Sequence, residues 1–262
     1  MRIARIVHAT FAVTMIGLGT VGLFRPGFAP IWNPVPAAVP ARKLFLYLGA
    51  LISITCGIGL LVQRVAIIAA RLLVATLLLW LILFRLPNFL HASVFEACWS
   101  VFPLAVMLAA AWIRYVWFAA EWDRRHLSFL SGNNNLRIAH VLYGLCLIFF
   151  GTAHFIDLRD TVSLIPNWLP GHLFWAYFTG CTFVAAGVAI LIGFHARLAA
   201  ALSALQISLF LLLVWIPIVG AGSKDAFQWS ETILNAALVA GAWVIADSYR
   251  GTSRFAVNNR SV

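Results

Sequence analysis

The sequence predicts an all-α polytopic membrane protein with eight transmembrane helices, arranged as two parallel four-helix repeats. Three observations lead to this prediction: the composition, the spacing of the apolar segments and an internal repeat. Of the 262 residues, 63% are hydrophobic and 10% are charged, and the mean hydropathy is +0.96. A water-soluble domain cannot bury so large an apolar fraction. A lipid bilayer is therefore the expected solvent of the chain.

Apolar segments close to the length needed to cross a bilayer, roughly 20 residues, recur along the whole chain. They lie at about 7–24, 44–62, 66–84, 98–116, 138–156, 174–193, 199–217 and 230–246. The first follows Arg2 and Arg5, as the apolar core of a signal peptide would. It is long for that role, however, and a counterpart recurs in mid-chain. We therefore expect all eight segments to be retained as membrane spans.

The basic residues follow the predicted topology. The net charge is +10, but the arginines and lysines form no single patch or run, which argues against nucleic-acid binding. Twelve of the eighteen fall on the face that carries both chain termini, and six fall on the opposite face. Because basic residues accumulate on the cytoplasmic side of membrane proteins, both termini are expected in the cytoplasm.

Metal and haem chemistry have no signature in the sequence. The four cysteines, Cys56, Cys98, Cys146 and Cys181, show no CxxC or other metal-binding spacing. We expect them to act as small buried hydrophobic residues. Motifs for phosphate binding, a zinc protease, a nucleophile elbow or haem attachment are also missing from the sequence.

The two halves of the chain are related in sequence. Arg5-Ile6-Val7-His8 matches Arg137-Ile138-Ala139-His140 at an offset of 132 residues. At an offset of 130, the matches are Pro36 and Pro40 with Pro166 and Pro170, Tyr47 with Tyr177, Gly57 with Gly187, Pro87 with Pro217, and Trp99 with Trp229. Since each half holds an even number of helices, both enter the membrane from the same side, and an axis along the membrane normal should relate them.

The repeat divides the chain into four parts. We expect a first four-helix repeat at 1–116, a cytoplasmic linker at 117–136, a second repeat at 137–250 and a cytoplasmic tail at 251–262. The linker holds the charged segment Glu121–His126, which predicts a short helix at the interface, and then the turn-prone cluster Ser131–Asn135. The loop between the first two helices of each half, bounded by prolines, is expected to fold back onto the bundle.

Polar groups inside the spans are the candidate site, because they are costly in hydrocarbon. His154 lies near the outer end of the fifth span, Gln206 lies in the seventh, and Glu231 opens the eighth with Asn235 on the same helical face. The repeat aligns His154 with Gly22 and Glu231 with Val101, so these groups are not duplicated. We predict that His154, Gln206, Glu231 and Asn235 converge on one outer pocket, with Asp157 beside it and the loop carrying Trp168 as its roof. Polar contacts between helices are the alternative interpretation.

Part of the second half resembles the DoxX-like membrane proteins. The resemblance rests on Gly151–Phe155, Ile165–Pro170 and the segment His195–Ala200. It covers about 137–247 and, through the repeat, 5–116. It implies a four-helix unit of the bacterial inner (cytoplasmic) membrane, in which His154 and the Pro166–Pro170 loop would line an outer pocket. The first half departs from the pattern, since it has Gly22 in place of the histidine and no Asn-Trp pair between Pro36 and Pro40.

Three classes of function stay open at this point, and whether the protein is an enzyme stays open with them. The resemblance favours a redox- or quinone-linked membrane component. Parallel repeats with an asymmetric polar pocket favour a transporter or binder of a small amphipathic molecule. The third class is a membrane scaffold or assembly partner. Besides the lipid bilayer, the expected ligands are a quinone or a lipid, and the expected partner is a membrane or redox protein.

Overall fold

The prediction of an all-α membrane protein is confirmed. The computed structural model describes residues 2–26, 30–33, 35–36, 39–119, 121–126 and 133–250. Within these ranges the chain is helical and has no β-strand. The same ranges contain eight helices that are long and apolar enough to cross a membrane. They are α1 (Arg2–Phe24), α2 (Arg42–Leu61), α3 (Ala66–Leu90), α4 (Val94–Phe118), α5 (Asn133–Ile156), α6 (His172–Ile192), α7 (Ala196–Gly220) and α8 (Ala226–Ser248).

Most helices extend beyond the predicted apolar segments, because polar residues at their ends continue the helical hydrogen bonding. The clearest case is α4, which begins at Val94 instead of about 98. Ser93 forms a capping box there: its hydroxyl accepts a hydrogen bond from the backbone N–H of Glu96, and the Glu96 carboxylate accepts one from the backbone N–H of Ser93.

Two short helices lie outside the spans. One covers Glu121–His126, as predicted for the linker, and the other covers Leu158–Ser163 after α5. The predicted turn at Ser131–Asn135 is wrong in its last three residues, because α5 begins at Asn133; Ser131 and Gly132 lie outside the described residues. The tail at 251–262 also lies outside them.

The helices α3 and α7 are interrupted in the same way. A π-helical turn covers Leu81–Arg85 in α3 and Leu211–Trp215 in α7, and the two positions differ by 130 residues. Each turn precedes a proline, Pro87 or Pro217. Proline has no backbone N–H, and its ring crowds the preceding turn of the helix. A wider turn before the proline relieves this crowding and accommodates the missing hydrogen bond. The segment that follows Arg85, predicted as a loop, is therefore a 3-10 continuation of the span up to Leu90.

Each half packs as a chain of neighbouring helices, and the halves meet through their first and fourth helices. Within the halves, α1, α2, α3 and α4 pack in sequence order, as do α5, α6, α7 and α8. Between the halves, α4 packs against α5, α8 packs against α1, and α4 packs against α8. The repeat pairs α1 with α5 and α4 with α8. It therefore converts the α4–α5 contact into the α8–α1 contact, and it leaves the α4–α8 contact unchanged. This pattern agrees with the predicted axis, which would pass between α4 and α8.

We call the end where α1 begins and α8 ends the inner end, and the opposite end the outer end. The buried residues run through both halves as one continuous apolar core. The predicted burial of the four cysteines is wrong in part: Cys56 and Cys146 are buried, Cys98 is half-buried, and Cys181 on α6 is exposed. An exposed thiol there faces the space that lipid would fill.

Candidate functional site

His154 lies at a junction of three helices in the second half. It sits on α5 and is half-buried. Its ring is stacked against Phe210 of α7, with centroids 5.7 Å apart, and meets Phe183 of α6 at 5.6 Å. The Nδ1 atom lies 2.7 Å from the carbonyl oxygen of Phe150. Because a carbonyl only accepts hydrogen bonds, Nδ1 must carry the proton, and Nε2 is left as an acceptor in the neutral ring.

Gln206 lies at the same junction and joins α6 to α7. Its Oε1 accepts a hydrogen bond from the Thr182 hydroxyl at 2.8 Å, and its Nε2 donates to the backbone carbonyl of Thr179 at 2.9 Å. Phe210 follows Gln206 by one helical turn, so His154 and Gln206 share one neighbourhood, as predicted. Both ends of this amide are bonded to the protein, which is the arrangement expected of a polar contact between helices.

Glu231 and Asn235 share a face of α8, as their spacing predicts. The Asn235 Nδ2 donates to the backbone carbonyl of Glu231 at 3.1 Å. The Glu231 side chain is half-buried, and its carboxylate makes no hydrogen bond or ion pair with the described residues. Its neighbour Thr232 contacts the carbonyl of Trp215, with Oγ1 at 3.5 Å. This turn of α8 therefore lies beside the π-helical turn of α7.

Asp157 and Trp168 lie at the surface of the outer end. The Trp168 side chain is 68% exposed. Asp157 is also exposed and lines an open depression together with neighbours from Ile156 to Asp160. Among the described residues, neither side chain bonds to His154. The roof formed by Trp168 therefore stays a prediction.

The structure brings together some of the predicted site residues. His154 and Gln206 meet at the junction of α5, α6 and α7, while Glu231 and Asn235 lie together on α8. Within the described part of the chain, no hydrogen bond or ion pair links His154 to Glu231. Their convergence on one pocket stays a prediction.

The corresponding place in the first half is filled by a tryptophan from a loop. A tryptophan in an outer loop usually lies at the membrane interface, but Trp32 is completely buried. Its Nε1 donates to the Ser53 hydroxyl at 3.2 Å, and its ring meets Trp80 at 5.0 Å. The 130-residue offset pairs Ser53 and Trp80 with Phe183 and Phe210, the two rings that surround His154. Trp32 in the first half thus stands where the His154 ring stands in the second.

Arg85 holds this loop in place. Its side chain is 1% exposed, and its Nη2 donates to the carbonyl oxygens of Pro30, Ile31 and Asn33 at 3.1, 2.8 and 2.9 Å. Its Nη1 donates to the Ser100 hydroxyl at 3.2 Å. The outer loop of the first half therefore folds back onto the bundle, as predicted, and closes it.

Sequence reasoning missed the anchor of the linker. Asp123 is completely buried at the inner end, and its Oδ1 accepts hydrogen bonds from the Arg71 Nε at 2.7 Å and from the Tyr115 hydroxyl at 2.9 Å. In the sequence, Asp123 is only an aspartate next to arginines. Nothing in that pattern indicates which distant residues it contacts.

Comparisons of the chain with protein-family models, curated proteins and solved structures gave no match. The resemblance to DoxX-like proteins therefore stays a prediction. Any functional statement must rest on the geometry described above.

Proposed function

We propose that this membrane protein binds a small amphipathic, membrane-soluble molecule at the outer end of its second half. The observation that carries the proposal is the Glu231 carboxylate, which lies within a span and has no protein partner among the described residues. An acidic group at the centre of a membrane helix costs about 2.5–3.5 kcal/mol on insertion scales, and Glu231, in the second turn of α8, bears part of this cost. Such a group is usually functional, because a ligand, a proton or water offsets this cost.

The polar atoms favour a ligand that donates hydrogen bonds. His154 presents Nε2 as an acceptor when its ring is neutral, since Nδ1 donates to the Phe150 carbonyl. An ionised Glu231 is also an acceptor only. A ring with hydroxyl groups would suit both, and the rings of Phe183 and Phe210 would flank it. A hydroquinone has this chemistry, so the proposal agrees with the quinone-linked role that the DoxX-like resemblance implies.

The structure of the first half favours a single ligand site per chain, located in the second half. Trp32 and the loop bonded to Arg85 close the outer end of that half. In the second half, the Trp168 loop leaves its indole exposed. Access from the outer surface is therefore expected on one side of the bundle only.

Purified protein in mild detergent tests the proposal. Mass spectrometry of co-purifying lipids and quinones, followed by titration with a short-chain quinol, measures binding. We expect His154→Ala and Glu231→Gln to abolish binding while the melting temperature stays close to that of the parent protein. Asp160→Asn removes an exposed carboxylate at the same end and should bind normally.

Two outcomes would contradict the proposal. If both variants bind the quinol and the co-purifying molecules as the parent protein does, the outer site does not exist. If both instead unfold, the polar groups hold helices together, and the protein is better described as a scaffold.

A further inference from the structure

A second polar cluster is buried at the inner end, where the halves meet. Arg114 on α4 is 1% exposed, and its guanidinium lies over the Phe118 ring, 5.0 Å from the centroid. Its Nη2 donates one long hydrogen bond of 3.4 Å to the carbonyl oxygen of Leu60, near the end of α2. Its Nε and Nη1 are buried and have no hydrogen-bond partner among the described residues.

The neighbours of Arg114 do not supply the missing acceptors. His8 on α1 lies edge-on to Trp117 at 4.4 Å, and its Nε2 is 3.8 Å from Asp247 Oδ2 on α8. The other oxygen of Asp247 pairs with Arg250. Because Trp117 lies one helical turn from Arg114 on α4, His8 and Asp247 occupy the same part of the inner end. The cluster therefore combines two guanidinium groups and an imidazole with a single described carboxylate.

Arg85 shows how this protein satisfies a buried arginine when no ligand is involved. It is also 1% exposed; its Nε has no hydrogen-bond partner among the described residues, but its Nη1 and Nη2 have four acceptors, three carbonyls and one hydroxyl. Arg114 has one acceptor at the limit of hydrogen-bond distance. The Nε and Nη1 atoms of Arg114 are also buried from solvent. In the described part of the chain, Arg114 thus lacks acceptors at two of its three guanidinium nitrogens, whereas Arg85 lacks one at Nε alone.

We propose that Arg114, assisted by His8, binds a phosphate oxyanion at the inner end, either the head group of an anionic lipid or free phosphate. Nη2 uses one of its two N–H groups on Leu60, so its other N–H and those of Nη1 form a planar fork that matches two oxygens of a phosphate, and the Nε–H can donate to a further acceptor. The site lies one helical turn from the end of α4, within reach of lipid head groups. Trp117 and Arg250, which are 37% and 39% exposed, border it and give the direction of entry.

The test uses the full chain in detergent, with phosphatidylglycerol, phosphatidylcholine and inorganic phosphate as separate probes. Native mass spectrometry detects adducts, and thermal unfolding measures stabilisation. We expect phosphatidylglycerol, and not phosphatidylcholine, to form an adduct and raise the melting temperature. Arg114→Met should lose both effects, and Arg64→Gln, which removes an exposed arginine near the same end, should keep them.

The probes also separate the two sources of phosphate. Stabilisation by phosphatidylglycerol alone identifies a lipid head group, whereas equal stabilisation by inorganic phosphate, lost in Arg114→Met, identifies the free anion. If Arg114→Met does not fold, Arg114→Lys decides, because it keeps the charge without the fork and should bind several-fold more weakly. Equal adducts with both lipids, or stabilisation that Arg114 variants leave unchanged, would overturn the proposal.

Discussion

Gly57 on α2 lies directly against Ile16 on α1: a Cβ atom added to this glycine would be 2.7 Å from the Ile16 Cγ1. In the second half, a Cβ on Gly187 would be 2.7 Å from the Cγ1 of Ile148. The two glycines differ by 130 residues and the two isoleucines by 132, which are the offsets found in the sequence. The close contact between the first two helices thus occurs in both halves, at positions that the predicted repeat pairs.

The first prediction concerns this contact. Gly187→Ala should lower the free energy of unfolding by about 1–3 kcal/mol, because the added methyl group overpacks the helix interface. Thermal unfolding in detergent measures the effect. Gly17→Ala is the control, since an added Cβ there would meet nothing within 4 Å. Equal stability of the Gly187 and Gly17 variants would show that α5 and α6 are not in such close contact.

The second prediction compares two loop tryptophans. Trp32→Ala should destabilise the protein by about 3–5 kcal/mol, because it empties a buried site in the first half. Trp168→Ala removes an indole that is 68% exposed and should change stability by no more than about 0.5 kcal/mol. Chemical or thermal unfolding of both variants checks this. A large effect at Trp168 would instead indicate that its loop closes over the second half.

The third prediction concerns the linker. Asp123→Asn removes the charge that pairs with Arg71, and we expect a loss of up to about 3 kcal/mol, since a buried ion pair is broken. The short helix Glu121–His126 should then detach more often, so trypsin should cleave after Arg125 faster than in the parent protein. Tyr115→Phe removes one hydrogen bond to the same carboxylate and should cost about 1 kcal/mol. Identical cleavage rates in the Asp123 variant and the parent would show that this contact does not hold the linker.

The fourth prediction separates the two interpretations of Gln206. Gln206→Leu removes the bonds to Thr179 and Thr182, and hydrogen bonds between membrane helices contribute about 0.6–2 kcal/mol. We expect the variant to lose stability in that range and to retain binding of the quinol, because its amide is bonded to the protein. Unfolding and binding are measured on the same preparation. Loss of binding at unchanged stability would place Gln206 in the ligand site.

The sequence predicted the features that depend on local composition and spacing. Apolar length identified the eight spans, and i, i+4 spacing placed Glu231 and Asn235 on one face. It did not predict contacts between distant segments. A tryptophan in an outer loop usually lies at the membrane interface, whereas Trp32 is buried through contacts with Gly49 and Ser53 of α2, which its own segment does not reveal. Arg85 is bonded mainly to backbone carbonyls. Every type of residue has a backbone carbonyl, so the sequence does not indicate these bonds.

The last prediction concerns orientation. The excess of basic residues at the inner end predicts that this end faces the cytoplasm. In a variant without its four native cysteines, a single cysteine replacing Ser163 at the outer end should react in intact cells with a thiol reagent that does not cross membranes. A cysteine replacing His126 at the inner end should react only after the cells are opened. Both native residues are exposed, so any difference in reactivity reports the side of the membrane. Because eight spans return the chain to the side where it entered, one labelling pattern fixes the position of both termini. If the cysteine at position 126 reacts in intact cells and the one at position 163 does not, the orientation is the reverse of the predicted one, and the Arg114 cluster lies on the outside. If both react in intact cells, the helices between them do not separate two compartments.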